Sequence, residues 1–419
     1  MAEERKRIYL CLAHMSESGL EQKYIKEAFD TNWVVPLGPN VNGFEVDLES
    51  FVGEDKKVVA LSAGTAAVHL ALLACGVGLG DEVLVQSFTF CASSHPVTYL
   101  GATPVFIDSE PDTWNMDPVL LEEAIKDRIL KTGRKPKAIV PVALYGMPYD
   151  IERIMEVANR YEIPVVEDAA EGFGSKFKGQ VLGTFGKFGV LSFNGNKMIT
   201  TSGGGALICS DSESKNKIMW YATQAREAYP YYQHEEIGYN YRMSNICAGI
   251  GRGQMTVADA HIAHHKHVQA LYEELLADVE GVHVQKAPSA DYDSNYWLCT
   301  ITLDKNLKVV GQEKAYGAAI TGAVGGAAGV IHVGGGVHTD CEPNQNVEAM
   351  RMYLDAAQIE ARPLWKPMHK QPVYAKSPAY VNGVSEALFK LGMCLPAGPY
   401  VSDEDVHYIV EKIKEAIVK

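Results

Sequence analysis

Residues 191–205 read LSFNGNKMITTSGGG. The run FGVLSF (188–193) leads into this stretch and GALIC (205–209) leads out, so it reads as two β-strands joined by a polar turn that holds one lysine, Lys197. Strand, small polar residues, lysine, glycines, strand is the layout required when an amine must be held rigidly and still reach a small electrophile, as Schiff-base catalysis demands. A solvated lysine beside a glycine turn is the plain alternative. A triple glycine also suggests a phosphate cradle, but a Walker loop is a weak match, because there Gly-Lys-Ser/Thr opens a helix, whereas here the lysine precedes the glycines.

Upstream, strands and helices alternate. KVVALSAGTAAVHLALLACG (57–76) is a β-branched run entering a small-residue turn and an alanine- and leucine-rich helix. Such a helix N-terminus offers free N–H groups and the positive dipole end to an anion, which makes Gly64 and Thr65 phosphate candidates. An ordinary Ser/Thr-capped helix is an equal reading. In GDEVLVQSFTFCASSHPV (80–97) a strand over Val83–Val85 ends with Phe88 and Phe90, placed either to stack on a flat ring or to join the core. TPVFIDSE, a helix near 117–131, KAIVPVALYG, a helix near 150–161 and IPVVEDAAEGFGS follow. This alternation implies a mainly parallel sheet with helices on both faces, whose ligands gather at the strands' carboxyl ends. Thr65, Phe90, Asp168 and Ser192 all fall there. Asp168 ends an apolar strand, with Glu167 pointing to the opposite face, and needs a cationic or hydrogen-bonding partner, of which a protonated pyridine nitrogen is one and a helix N-terminus another.

The flanking segments are read more coarsely. Residues 17–31 read as an opening helix, and 32–53, with prolines flanking glycine, as a loop. Residues 220–255 are a tyrosine-rich polar segment running into a small-residue helix, followed by a long helix over Val257–Leu276 carrying His261, His264, His265 and His267, a solvated face without the carboxylate of a metal site. From about 281 the order suits a smaller α+β domain, with a glycine-rich insertion at 317–336, a helix near 346–357 and an amphipathic closing helix. The division is therefore 1–255 for a large domain with an N-terminal arm and 256–419 for a small one.

Composition narrows the function. With 419 residues, 47% apolar and 21% charged, the chain can bury a large core. A net charge of -14, with no basic run longer than residues 5–7, opposes nucleic acid or an anionic membrane as partner. The absence of an apolar leader or an eighteen-residue span leads us to expect a cytoplasmic protein. Eight scattered cysteines without a CxxC pair suit reduced thiols and no metal.

The segments NWVVPLGPNVNGFE, SAGTAAVHLAL, GDEVLVQSFTFCASSHPV, GATPVFID, VEDAAEGFGS, SFNGNKMITTSGGG, GYNYRMSN and RPLWKPMHKQPVY, in that order, resemble the DegT/DnrJ/EryC1/StrS family of sugar aminotransferases. The resemblance implies a fold-type I α/β architecture, a mainly parallel seven-stranded sheet flanked by helices, and pyridoxal 5'-phosphate as cofactor. It implies Lys197 as the Schiff-base lysine and proton shuttle, and Asp168 as the partner of the pyridine nitrogen. It further implies Phe90 against the ring, Gly64, Thr65 and Ser192 around the phosphate, Ser93 among the cofactor contacts, and Glu171 near the ring oxygen. Asn240 would reach the phosphate from a second subunit of a homodimer. Asn295, Tyr296, Trp297, Arg362 and His369 are the implied sugar contacts. The wording SFNGNK, TTSGGG, TQARE, GYNYR and RPLWK is most similar to enzymes that aminate UDP-4-keto-6-deoxy-N-acetylglucosamine toward bacillosamine, with L-glutamate as donor. Relatives act on dTDP- and GDP-linked keto sugars. Many members carry a glutamate where this chain has Gly203. A 3-dehydratase would replace Lys197 by histidine, and a non-catalytic relative would be expected to lose Lys197 or Asp168 or to add a DNA-binding module.

Overall fold

The computed structural model describes residues 5–53, 55–315 and 341–418, so the glycine-rich insertion expected at 317–336 lies outside the described residues. Seven strands of the first half of the chain enter the large sheet: β1 (Lys57–Leu61), β2 (Glu82–Gln86), β3 (Thr103–Ile107), β4 (Ala138–Val140), β5 (Val166–Asp168), β6 (Phe188–Ser192) and β7 (Gly205–Cys209). Ladders give the runs β3-β2-β4 and β5-β6-β7-β1. Parallel bridges Ile139–Val165 and Val142–Asp168 join the two runs into one sheet. Only β7 is antiparallel to its neighbours.

The strands are apolar almost throughout because both faces are covered. Along β1, Val58 and Ala60 pack into one hydrophobic cluster and Val59 and Leu61 into another on the opposite face, as the period of two requires. The smaller second sheet is antiparallel, built from Val282–Val284, Cys299–Leu303, Gly392–Leu395 and Arg362–Pro363. Its own core draws on the helices Ala258–Leu275, Gln345–Ala356 and Asp403–Ala416.

Two expectations are corrected. Residues 39–52 are a helix (Pro39–Val52), not a loop. Its proline sits where the first-turn N–H has no helical partner in any case, and Val41, Phe44, Leu48 and Val52 form a buried stripe at helical spacing. The helix Ala258–Leu275 buries His261 and His265 against the core, so it is not the solvated histidine face expected. Ala379–Tyr380 adds a parallel edge strand to β3, and Met368 N–H donates to Ser87 O (2.8 Å). Among the described residues no helix is long and apolar enough to cross a membrane.

Close backbone packing behind β6 depends on Gly189, where an added Cβ would lie 2.0 Å from Gly183 O. Gly189→Ala is expected to destabilise the fold by about 2 kcal/mol or more. An unchanged urea midpoint would contradict that packing argument.

Candidate active site

A cavity of about 240 Å³ opens at the carboxyl ends of the strands. Ser62 follows β1, Thr89 and Phe90 follow β2, Val142 follows β4, Asp168 ends β5, Ser192 ends β6, and Gly203 and Gly204 precede β7; all line it. An open depression of about 590 Å³ lies at the amino ends of β5 and β6, over Val165, Gly186 and Lys187, where this class of sheet does not place its chemistry.

Lys197 enters the cavity from a tight loop. Phe193 N–H donates to Gly204 O (2.9 Å), Thr201 N–H to Phe193 O (2.9 Å), and Lys197 N–H to Asn194 O (2.9 Å). The lysine side chain is only 12% exposed, and Nζ lies 3.5 Å from Glu171 Oε1 and 4.0 Å from the Trp297 ring centroid. Glu171 Oε2 accepts the N–H of Tyr145 (2.7 Å). Tyr145 is held at φ 54°, a left-handed conformation unusual for a bulky residue, and its hydroxyl accepts the N–H of Trp365 (2.9 Å). Trp365 in turn meets Phe90 edge-on at 4.8 Å, so these two rings wall the cavity.

Asp168 is buried, with Oδ2 accepting Ser93 Oγ–H (2.6 Å) and Oδ1 accepting Ala170 N–H (3.2 Å). Burial pushes its pKa up against the lowering effects of Ser93, Ala170 and Lys197. Burial likewise raises Glu171, opposed chiefly by Lys197. Both carboxylates are thus short of positive charge. Cys11 lies near Lys197, but burial pushes its thiol up to about 12, so it stays protonated and unreactive.

The opposite wall suits an anion. The helix Gly64–Ala74 begins at the cavity with no side chain capping it. Gly205 lets β7 pass behind that helix start, since a Cβ there would lie 2.4 Å from Gly64 N. An uncapped helix N-terminus beside Thr65 and Ser192, a buried carboxylate seeking a cation, an amine, and the flat Phe90 side chain fit pyridoxal phosphate: phosphate, pyridinium, aldehyde and ring face respectively.

Gly64, Thr65, Phe90, Asp168, Glu171, Ser192, Lys197 and Trp297 are therefore brought together. Other expected contacts are not. Ser93 sits behind Asp168 and bonds it, so it orients that carboxylate and does not line the cavity. Asn295 is fully buried, its amide donating to Glu171 O and Phe173 O and its Oδ1 accepting Trp297 N–H, which leaves nothing for a sugar. Tyr296 O is the acceptor for His265, and its side chain is absent from the lining. Arg362 is bonded to Glu360 (2.6 Å), and His369 Nδ1 to Ser87 Oγ (2.6 Å), both away from the lining. Asn240 is exposed and pairs with Thr223, outside its own chain's cavity. Sequence reasoning passed over Trp365, Asn194 and Asn196, although RPLWK and SFNGNK contain them. Nothing local marks Tyr145. Among the described residues no His/Cys/Asp/Glu group could hold a metal.

The raised carboxylates have a consequence for pH. Unfolded, Asp168 and Glu171 ionise in the ordinary range; folded without cofactor, they hold their protons to higher pH. The folded protein then binds more protons, so this contribution to stability falls as pH rises from the ordinary carboxylate range through the raised values. Asp168→Asn removes the charge. The cofactor-free variant is expected to exceed wild type by on the order of 1 kcal/mol in mildly alkaline buffer, with the gap narrowing as pH is lowered. Denaturant titration across pH checks this, and a variant no more stable than wild type at any pH would refute it.

Comparison with known proteins agrees with this geometry. Residues 16–320 and 335–414 match the DegT/DnrJ/EryC1/StrS aminotransferase family. The chain is 42% identical over 410 residues to EpsN of Bacillus subtilis (strain 168), which carries the name of a pyridoxal phosphate-dependent aminotransferase, covering 97% of this chain and 95% of that protein. It is 34% identical over 409 residues to the GDP-perosamine synthase of Escherichia coli O157:H7, covering 97% and 98%. The crystal structure of a DegT DnrJ EryC1 StrS aminotransferase from Brucella abortus superposes with a TM-score of 0.81 at 27% identity, covering 96% of each chain. The chain belongs to the DegT/DnrJ/EryC1/StrS aminotransferase family and is a pyridoxal-phosphate-dependent sugar aminotransferase.

Proposed function

We propose that this aminotransferase converts UDP-4-keto-6-deoxy-N-acetylglucosamine to its 4-amino sugar with L-glutamate as donor, and that Lys197 is the residue that binds the cofactor covalently and moves the proton. The role of Lys197 rests on the placement of its amine 3.5 Å from Glu171, in the same cavity as buried Asp168, and the choice of sugar and donor rests on the wording SFNGNK, TTSGGG and RPLWK. Pyridoxal phosphate supplies a carbonyl that condenses with amines and a ring that draws electrons from the carbon beside the nitrogen.

The chain's own residues do the rest. The N–H groups at Gly64 and Thr65, with the Ser192 hydroxyl, hold the phosphate. Asp168, oriented by Ser93, keeps the pyridine nitrogen protonated. Phe90, which lines the cavity, would pack against the flat ring. Lys197 Nζ would hold the cofactor's aldehyde carbon and, when free as an amine, would be the base that moves the proton. Glu171 is the charge partner that holds this amine in reach. Trp297 and Trp365 exclude water from the sugar side. Asn240 serves the cavity of a second copy, making the working unit a homodimer. In this division residues 1–255 bind the cofactor, and the part from 256 onward contributes Trp297 and Trp365 to the cavity.

A GDP-linked keto sugar is the second reading, favoured by the 34% identity to a GDP-perosamine synthase across nearly the whole chain. The test has two parts. Wild type with added pyridoxal phosphate should show the visible absorbance of a lysine-bound cofactor, which L-glutamate should bleach; Lys197→Ala should lack it and lose at least about 10⁴-fold in turnover. Turnover retained by Lys197→Ala would sink the reading. Product masses after incubation with UDP-, dTDP- and GDP-linked 4-keto sugars then select the nucleotide.

A further inference from the structure

We propose that His261 and Gln254 are positioning residues for Lys197, clamping the backbone of the loop that carries it without entering the cavity. The inference rests on the assignment of Lys197 as the cofactor's amine. Beyond the lysine the loop is held from two successive helices, Asn245–Met255 and Ala258–Leu275. His261 Nδ1–H donates to Met198 O (3.2 Å), and Gln254 Oε1 accepts Thr200 N–H (3.3 Å). Both side chains are buried, at 6% and 1% exposure, and neither lines the cavity.

Each clamp is itself fixed. Gln254 Nε2 donates to His14 O (2.9 Å) and to Glu21 Oε1 (2.9 Å), so its oxygen has to face Thr200. Glu21 is held in turn by Ser16, through N–H (2.8 Å) and Oγ–H (2.6 Å). The His261 ring meets His14 edge-on at 5.8 Å, and His14 meets Tyr400 at 4.2 Å. Burial also keeps His261 neutral, with one N–H to give. Met198 and Ile199 are buried at 3% and 1%, so the chain just after the lysine cannot shift without breaking these contacts. An amine that must alternate between a covalent bond and proton transfer depends on being held to within about 0.5 Å.

The test uses the full-length, cofactor-free protein. His261→Leu keeps the volume and removes the donor, whereas His261→Asn restores a nitrogen at the δ position. We expect the visible band of the lysine-bound cofactor to form roughly tenfold more slowly in His261→Leu than in wild type after pyridoxal phosphate is added, and within about twofold of wild type in His261→Asn. Amide hydrogen exchange over residues 197–201 should quicken in His261→Leu before any cofactor is added. A folded His261→Leu with wild-type rate and exchange overturns the clamp, as does a His261→Asn that is as slow as the leucine variant. If His261→Leu does not fold, Gln254→Met takes its place with the same expectation, and a wild-type rate there is equally fatal. Wild type that forms no band would overturn the assignment of Lys197 itself.

Discussion

Asp168, Glu171 and Lys197 are ionisable groups placed where water hardly reaches them, and the cost of that burial determines what the surrounding structure has to supply. Asp168 receives a hydroxyl from Ser93 and an N–H from Ala170. Glu171 receives an N–H from Tyr145 and faces the lysine amine. These donors do not fully offset the desolvation, which is why both carboxylates ionise with more difficulty than usual. The remaining deficit of positive charge is what a protonated pyridine ring would fill. The site is therefore less stable without its cofactor than with it.

Tyr145 and Ser202, beside the site, hold left-handed backbone. Tyr145, at φ 54°, points its N–H at Glu171 while its hydroxyl fixes the backbone of Trp365. Ser202, at φ 71°, lies in the turn between Lys197 and β7, where its N–H donates to Thr200 Oγ1 (2.9 Å). Each conformation costs on the order of 1–3 kcal/mol and persists because its neighbours leave no alternative. Strain, buried charge and the uncapped helix start all converge on one cavity, while the glutamate one residue before Asp168 shows the structural counterpart. Glu167 points to the other face of the sheet and accepts N–H bonds from Gly183, Phe185 and Gly186, binding one turn to the strand.

Much of this was legible. Alternating apolar strands and small-residue helices give the parallel sheet, and a carboxylate or lysine at a strand end can be read as a site residue because the sheet's carboxyl edge is where ligands collect. The helix at Pro39–Val52 was misread because proline and glycine look like loop signals unless the buried stripe after them is weighed. Ser93, Asn295, Arg362 and His369 sit in segments that match the family, yet a matching segment shows only that a residue is near the site. Whether a side chain faces the ligand or its neighbour depends on bonds such as Ser93 to Asp168 and Asn295 to the Glu171 carbonyl.

From the sequence alone follow the strand and helix pattern, the hairpin around Lys197, and the placement of Gly64, Thr65, Asp168 and Ser192 at one edge of a sheet. These depend on local periodicity and on which strand ends point the same way. Tertiary structure alone decided that Glu171 meets Lys197, that Tyr145 joins Glu171 to Trp365, and that His261 and Gln254 hold the lysine loop. Those contacts join residues up to 220 positions apart. No local pattern encodes them, because each exists only once the sheet, the two helices behind the lysine loop and the returning C-terminal segment have packed together.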